Sequence, residues 1–333
     1  MMPEVLAIAY RGDMEESRHY GSVVVVDSDG NILFSRGDAN RFTFLRSAAK
    51  PFQVLPLFDT GTFEHYGFTQ EEIAVMCGSH SGEDMHVEKV ISILDKIGLA
   101  EDSLQCGVHT PFHRPTAKRL LLSGETLSPT RNTCSGKHAC MLAITQFNGH
   151  DINTYMEQTH PVQKLMLSTV AEMTQFPAQS VGIGTDTCGV PVFAVPLKNM
   201  ALGYANLAKA DKYSGNRRDG IFKIKQSMSK YPNLVAGTGR FTTDLLKVMG
   251  TKVIAKDGAE ASFGMGILQE DIGIAVKIED GSNRALSAVV LEVLNELNLL
   301  DNDTKQKLSK YMLRRVKTWN GETIGKIVPV KLF

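Results

Sequence analysis

The stretch Arg46-Ser47-Ala48-Ala49-Lys50-Pro51 contains a Ser-x-x-Lys motif. Residues three apart on a helix share a face one turn apart, so the Lys50 amine can take the proton of the Ser47 hydroxyl. Pro51 belongs in or near a first turn, which places Ser47 at a helix N-terminus whose free backbone N–H groups can face an oxyanion. Alone the motif is weak, because about one or two matches arise by chance in a chain of this length. Ser227-Met228-Ser229-Lys230 is such a match and reads as a solvated helix end before Tyr231-Pro232. The competing reading of Ser47 is a plain N-cap serine.

Outward from this stretch, the hydrophobic period differs on the two sides. Upstream, residues 5–10 read as a strand, and residues 22–26 and 32–35 form a hairpin around Asp27-Ser28-Asp29-Gly30-Asn31. Downstream, helical spacing takes over: residues 84–98 place Val87, Val90, Ile91, Leu94 and Ile97 on one face, and residues 161–173 follow a proline start. Further helices fall near 136–147, 199–210, 218–230 and 242–249. Strands return at 252–256, 261–268 and 273–278, followed by an apolar helix over 284–299 and a closing strand over 326–332.

The expected class is α+β. One antiparallel sheet is built from about 1–45 and 250–333, with a helical region, about 46–249, inserted and packed against it. The strands do not alternate with helices, Gly182-Ile183-Gly184 does not complete a dinucleotide fingerprint, and no P-loop is present.

The 36 Lys and Arg balance the 36 Asp and Glu, so no electrostatic footprint for nucleic acid or an anionic membrane exists. A hydrophobic content of 43% and a charged content of 22% exclude disordered and fibrous classes. Five cysteines, an odd number in a long chain, argue for free thiols or a metal site in a reducing compartment. No window approaches the ~18 apolar residues of a membrane span, and the N-terminus lacks a basic n-region. The expectation is a cytoplasmic protein.

Three further segments carry chemistry. Cys77-Gly78-Ser79-His80-Ser81-Gly82-Glu83-Asp84 is either a turn capping the next helix or a serine-lined active-site loop. Lys256-Asp257-Gly258 ends an apolar strand and alone reads as a turn. Penicilloyl serine transferases and class A β-lactamases carry Ser-x-x-Lys, a serine loop and Lys-Thr-Gly in the same order. In the third segment, Cys134-Ser135-Gly136-Lys137-His138 and Thr185-Asp186-Thr187-Cys188 set Cys134 and Cys188 among polar residues, where a thiolate can ligate a metal. Cys106 and Cys140 read as buried small hydrophobes.

Together these strings resemble the asparaginase II family, the thermolabile rhizobial-type L-asparaginases. The likeness extends to Lys277-Ile278-Glu279-Asp280-Gly281, and Cys-Ser-Gly-Lys-His is its most specific element. The resemblance implies a serine β-lactamase-like fold, deamidation of L-asparagine to L-aspartate and ammonia, and the pairs Ser47/Lys50 and Ser79/Lys256. It also implies zinc on Cys134, Lys137 and Cys188, modulating substrate binding. A homodimer is the expected assembly. Where the family leads one to expect an acidic residue soon after Gly239-Arg240, this chain has Thr242.

On this reading Ser47 is the nucleophile and Lys50 its base, with Lys256 as a second cation. Ser79 relays a proton to the leaving ammonia. The oxyanion donors are the Ser47 N–H and an N–H just beyond Gly258. Arg46 and Asp186 are candidates for the substrate carboxylate and ammonium, with Arg240 and His138 next, although each charge could belong to a structural ion pair. Two other readings stay open: another serine amidase or penicillin-interacting hydrolase on the same scaffold, and a zinc-dependent amino-acid-binding protein.

Overall fold

Residues 23–26 are four consecutive valines, and all four are buried. Because side chains alternate between the faces of a strand, such a run requires cover on both faces of its sheet. The computed structural model describes residues 2–333 and places the run in a fully antiparallel sheet. β1 (Glu4–Arg11), β2 (Met14–Asp27) and β3 (Ile32–Arg36) supply its N-terminal part. β4 (Phe42–Phe44), β5 (Gly182–Thr185) and β6 (Pro191–Pro196) form a separate three-stranded sheet in the order β4-β6-β5. β7 (Val253–Gly258), β8 (Ser262–Ile267), β9 (Ile272–Ile278), β10 (Arg314–Lys317) and β11 (Thr323–Pro329) return to the main sheet. Its order is β10-β11-β1-β2-β9-β8-β7, with β3 also paired to β2.

The expected α+β arrangement is therefore the one found: strands from both ends of the chain interleave, and most of the helices lie between them in sequence. The helix Leu197–Ala208 packs on β2, β8 and β9, and the helix Asn283–Glu296 on β1, β9 and β11. The helices Asp84–Lys96 and Pro161–Thr174 end within two residues of the sequence expectation. The Lys277–Gly281 string ties the sheet together through its side chains. Lys277 donates to the Ile278 carbonyl (2.9 Å), Glu279 pairs with Arg41, and Asp280 meets His19 Nδ1 at 2.6 Å.

Several elements depart from the sequence reading. β2 starts at Met14 rather than near residue 22, because its first residues are polar and exposed and join β1 through the backbone ladder. β6 hides between Pro191 and Pro196, which stand at its ends, where a missing N–H costs the ladder least. β10 is mostly charged and exposed, the helix Asn302–Met312 sets Thr304, Leu308, Tyr311 and Met312 on one face among polar residues and is absent from that reading, and the last strand is shifted to Thr323–Pro329. Ser227 is fully buried in the helix Gly215–Lys230, not solvated.

Candidate active site

Ser47 sits in a 3-10 turn, Arg46–Ala49, that runs directly into the helix Lys50–Gln53 with Pro51 in its first turn. The turn is capped by Leu45 with no side-chain bond, so Ser47 is not an N-cap. Its N–H makes no backbone hydrogen bond, as befits a first-turn donor. Two neighbours hold the turn in place. Tyr204 Oη donates to the Ala48 carbonyl at 2.7 Å. Gly258 lies so close that an added Cβ would sit 2.7 Å from Leu45 O, so only glycine lets β7 run alongside. Arg46 adopts a left-handed φ of 51° without being glycine, a conformation costing about 1–2 kcal/mol. Its guanidinium is anchored on Asp186 Oδ1, with Nε at 3.0 Å and Nη2 at 2.9 Å. The two charges expected to hold substrate are thus paired with each other.

Lys50 is fully buried, and its ammonium donates to Gly78 O (2.6 Å), Ser79 Oγ (3.0 Å) and Thr133 O (3.2 Å). The hydroxyl that Lys50 contacts is therefore that of Ser79, not Ser47. The Ser79 loop leaves the helix Gln70–Met76 and is fastened at three points. Ser79 N–H donates to Val235 O (2.8 Å), His80 Nε2 meets Ser135 Oγ (2.8 Å), and Ser81 Oγ donates to Ala236 O (2.8 Å). His80 accepts from Gly82 N–H through Nδ1, so Nε2 carries its proton. Burial, with His86 and Lys50 nearby, keeps that ring neutral by drawing its pKa well down.

Lys256 is also fully buried but does not hydrogen-bond Ser79, as the sequence reading had paired it. The next residue captures it: Nζ donates to Asp257 O (2.6 Å) and Asp257 Oδ1 (2.8 Å). Burial pulls the Lys256 amine down to about 8, with Lys50 adding to the fall and Asp257 resisting it. Burial alone would raise the Asp257 carboxyl, yet Lys256 and Arg240 hold it well below the carboxylate range. Arg240 Nη2 lies 3.0 Å from Asp257 Oδ2, and Thr242 Oγ1 donates to Oδ1 at 2.9 Å. Thr242, the departure from the family pattern, thus faces a carboxylate supplied by β7. Asp257 is the residue that sequence reasoning missed, because between a lysine and a glycine it passed for a turn residue. It lines a cavity of about 410 Å³ together with Arg240, Thr242, Lys310 and Tyr311.

Cys134, Lys137 and Cys188 come together from two segments. Cys134 precedes the helix Ser135–Phe147, and Cys188 sits in the turn between β5 and β6. An added Cβ at Gly136 would lie 2.2 Å from Val75 O, which explains the glycine of Cys-Ser-Gly-Lys-His: it lets this helix press against Gln70–Met76. Lys137 Nζ is 3.4 Å from Cys188 Sγ and 4.0 Å from Asp186 Oδ2. All five cysteines are free and buried. The Cys134 and Cys188 thiols lie against each other, and their mutual influence draws the Cys134 pKa down while raising that of Cys188. Burial opposes the Lys137 charge, but Cys188, Cys134 and Asp186 outweigh it and keep the ammonium. Among the described residues no three His, Cys, Asp or Glu side chains converge as metal ligands, so the sulfur pair is completed only by lysine. His138 is fully buried, with Nδ1 at 2.6 Å from Tyr155 Oη and Nε2 without a partner.

A family profile, that of L-asparaginase II, matches residues 7–329. The chain belongs to the L-asparaginase II family. It is accordingly an amidohydrolase whose substrate class is an amino-acid amide. No curated protein matches the chain in sequence. Among solved structures, it is similar to a β-lactamase from Mycobacterium bovis, with 12% identity over 87% of this chain and 94% of the other and a TM-score of 0.44. It is also similar to a Bacillus glutaminase, with 11% identity over 84% and 91% and a TM-score of 0.39. Among the described residues no helix is long and apolar enough to cross a membrane.

Proposed function

We propose that the protein is an L-asparaginase, converting L-asparagine to L-aspartate and ammonia through an ester on Ser47. The observation that carries the reading is the buried Lys50 ammonium on Ser79 Oγ, one turn after a serine whose own N–H is free. Ser47 Oγ attacks the side-chain amide carbon and its proton passes to the neutral Lys256 amine, while the Lys50 ammonium restores the proton that Ser79 gives up. The tetrahedral oxyanion faces the Ser47 N–H. The C–N bond breaks as Ser79 delivers a proton to the departing ammonia, and water then cleaves the ester to give aspartate and free Ser47. Arg46 and Asp186 open their mutual pair to receive the substrate carboxylate and ammonium. The test is ammonia release from asparagine, glutamine and a β-lactam by the purified chain. Turnover of asparagine is expected; ring opening of the β-lactam without ammonia from asparagine would overturn the reading.

The pH profile follows from Lys256. Its amine, drawn down to about 8, is charged below that value and neutral above it, so a step needing a neutral amine accelerates from pH 7 to 9. Asp257→Asn removes the charge that resists the fall, and the inflection should move to lower pH. A chemistry-limited rate that stays flat from about pH 6 to 9.5 would contradict this assignment.

Cys134, Lys137 and Cys188 would hold zinc: two thiolates suit that ion, whereas the lysine is an unusual third ligand that must first give up its proton. A bound zinc would act as a Lewis acid and a template for orienting substrate. Because Ser47 supplies the nucleophile, chelation should raise KM more than it lowers kcat. Elemental analysis should find about one zinc per chain, lost in Cys188→Ser. Equal zinc in both proteins would remove the site.

A further inference from the structure

The chain has 14 arginines. Ten of them lie in ion pairs with carboxylates, from Arg11 with Glu16 to Arg240 with Asp257. Among the described residues Arg114, Arg284, Arg314 and Arg315 are the four without such a partner. Three of those four, Arg284, Arg314 and Arg315, line one cavity of about 350 Å³ between the start of the helix Asn283–Glu296, strand β10 and the β1–β2 hairpin. Glu16 is the single acid on its wall, and its Oε1 is paired with Arg11, through Nε at 2.9 Å and Nη2 at 2.7 Å. Arg284 Nε is buried with no hydrogen-bond acceptor.

This arrangement is unfavourable as it stands. Arg314 and Arg315 are exposed and Arg284 is half-buried, so three like charges share one wall, and one buried donor, Arg284 Nε, is unsatisfied. The positive end of a 14-residue helix adds to the same sign. A folded, net-neutral protein could have scattered these guanidinium groups among its acids, as it does the other ten.

We infer that this cavity is a binding site for a small, multiply charged oxyanion, held by Arg284, Arg314 and Arg315. Planar guanidinium groups present paired N–H donors that match phosphate or carboxylate oxygens two at a time. The volume admits a small molecule, and the overall charge balance gives no path for a nucleic-acid backbone. Arg314 also lines the cavity that contains Asp257, so the anion site adjoins the Lys256 network without using its residues.

The test is calorimetric titration of the full chain with inorganic phosphate, pyrophosphate and L-aspartate at constant ionic strength, with chloride as the matched control. Phosphate and pyrophosphate against aspartate distinguish a phosphate ligand from a dicarboxylate. Binding of at least one of the three is expected, with Arg284→Gln and Arg314→Gln each weakening it at least about tenfold, or 1.4 kcal/mol. Arg114→Gln, which removes the unpaired arginine outside the cavity, should leave affinity unchanged. Thermal unfolding without ligand confirms that the variants fold. No binding by the wild type up to about 10 mM (about 2.7 kcal/mol), or equal losses in all three variants, would overturn the site.

Discussion

Ser47→Ala is expected to lower kcat at least about ten-thousandfold while leaving the fold intact, since deleting a nucleophile removes the covalent route altogether. The stability side of this prediction is sharper than for most serines. Ser47 neither caps its turn nor is fully buried, so losing the hydroxyl should change stability by no more than about 0.5 kcal/mol. Ammonia release and thermal unfolding measured on the same preparation separate the two effects. A variant that keeps a tenth of the wild-type kcat shows that another group attacks, and Ser79, already bonded to a buried amine, is the first to examine.

Lys50→Met should have the second largest effect and, unlike Ser47→Ala, should cost both activity and stability. Methionine keeps the aliphatic stem of lysine without its terminal donors, leaving Gly78 O, Thr133 O and Ser79 Oγ without the ammonium that now joins them. Each buried acceptor left unpaired costs about 1–3 kcal/mol, partly offset because the buried charge goes too. A loss of about 2–4 kcal/mol in urea unfolding is therefore expected, with turnover reduced more than about a thousandfold. Lys50→Arg should not restore activity, because a guanidinium cannot give up its proton. Wild-type stability in Lys50→Met would mean that the three bonds do not hold the Ser79 loop in place.

Much of the fold could be read from the sequence where burial imposes a period. The valines of β2, the helix Asp84–Lys96 and the apolar helix Asn283–Glu296 announce themselves because their apolar faces must meet a core. β10 and the first half of β2 do not, because they are held by backbone ladders while their side chains face water. The same division applies to the candidate site. The serines, lysines and cysteines could be nominated from motif strings, and the structure brings Lys50 beside Ser79 and Lys137 beside Cys188. The partner choices could not be read. Lys256 bonds to Asp257 because a neighbouring carboxylate reaches its ammonium, and Arg46 bonds to Asp186 across 140 positions of chain. Such preferences depend on which opposite charge the fold delivers, and no local pattern encodes that.

The interleaving of the main sheet also governs how the chain can fold. β2 is flanked by β1, its hairpin neighbour, and by β9, which follows only after the entire helical stretch; β1 in turn waits for β11. Pairings so distant along the chain delay closure, since loop entropy must be lost before any contact compensates for it. A nascent chain halted before residue 272 would therefore expose the apolar valines of β2 along an open strand edge, a template for pairing with other chains. Lys256 would by then already have been synthesised, yet it would have no β8–β9 pair to brace its strand. Catalytic competence is thereby tied to completion of synthesis, and solubility during translation depends on whatever shields β2 in the interval.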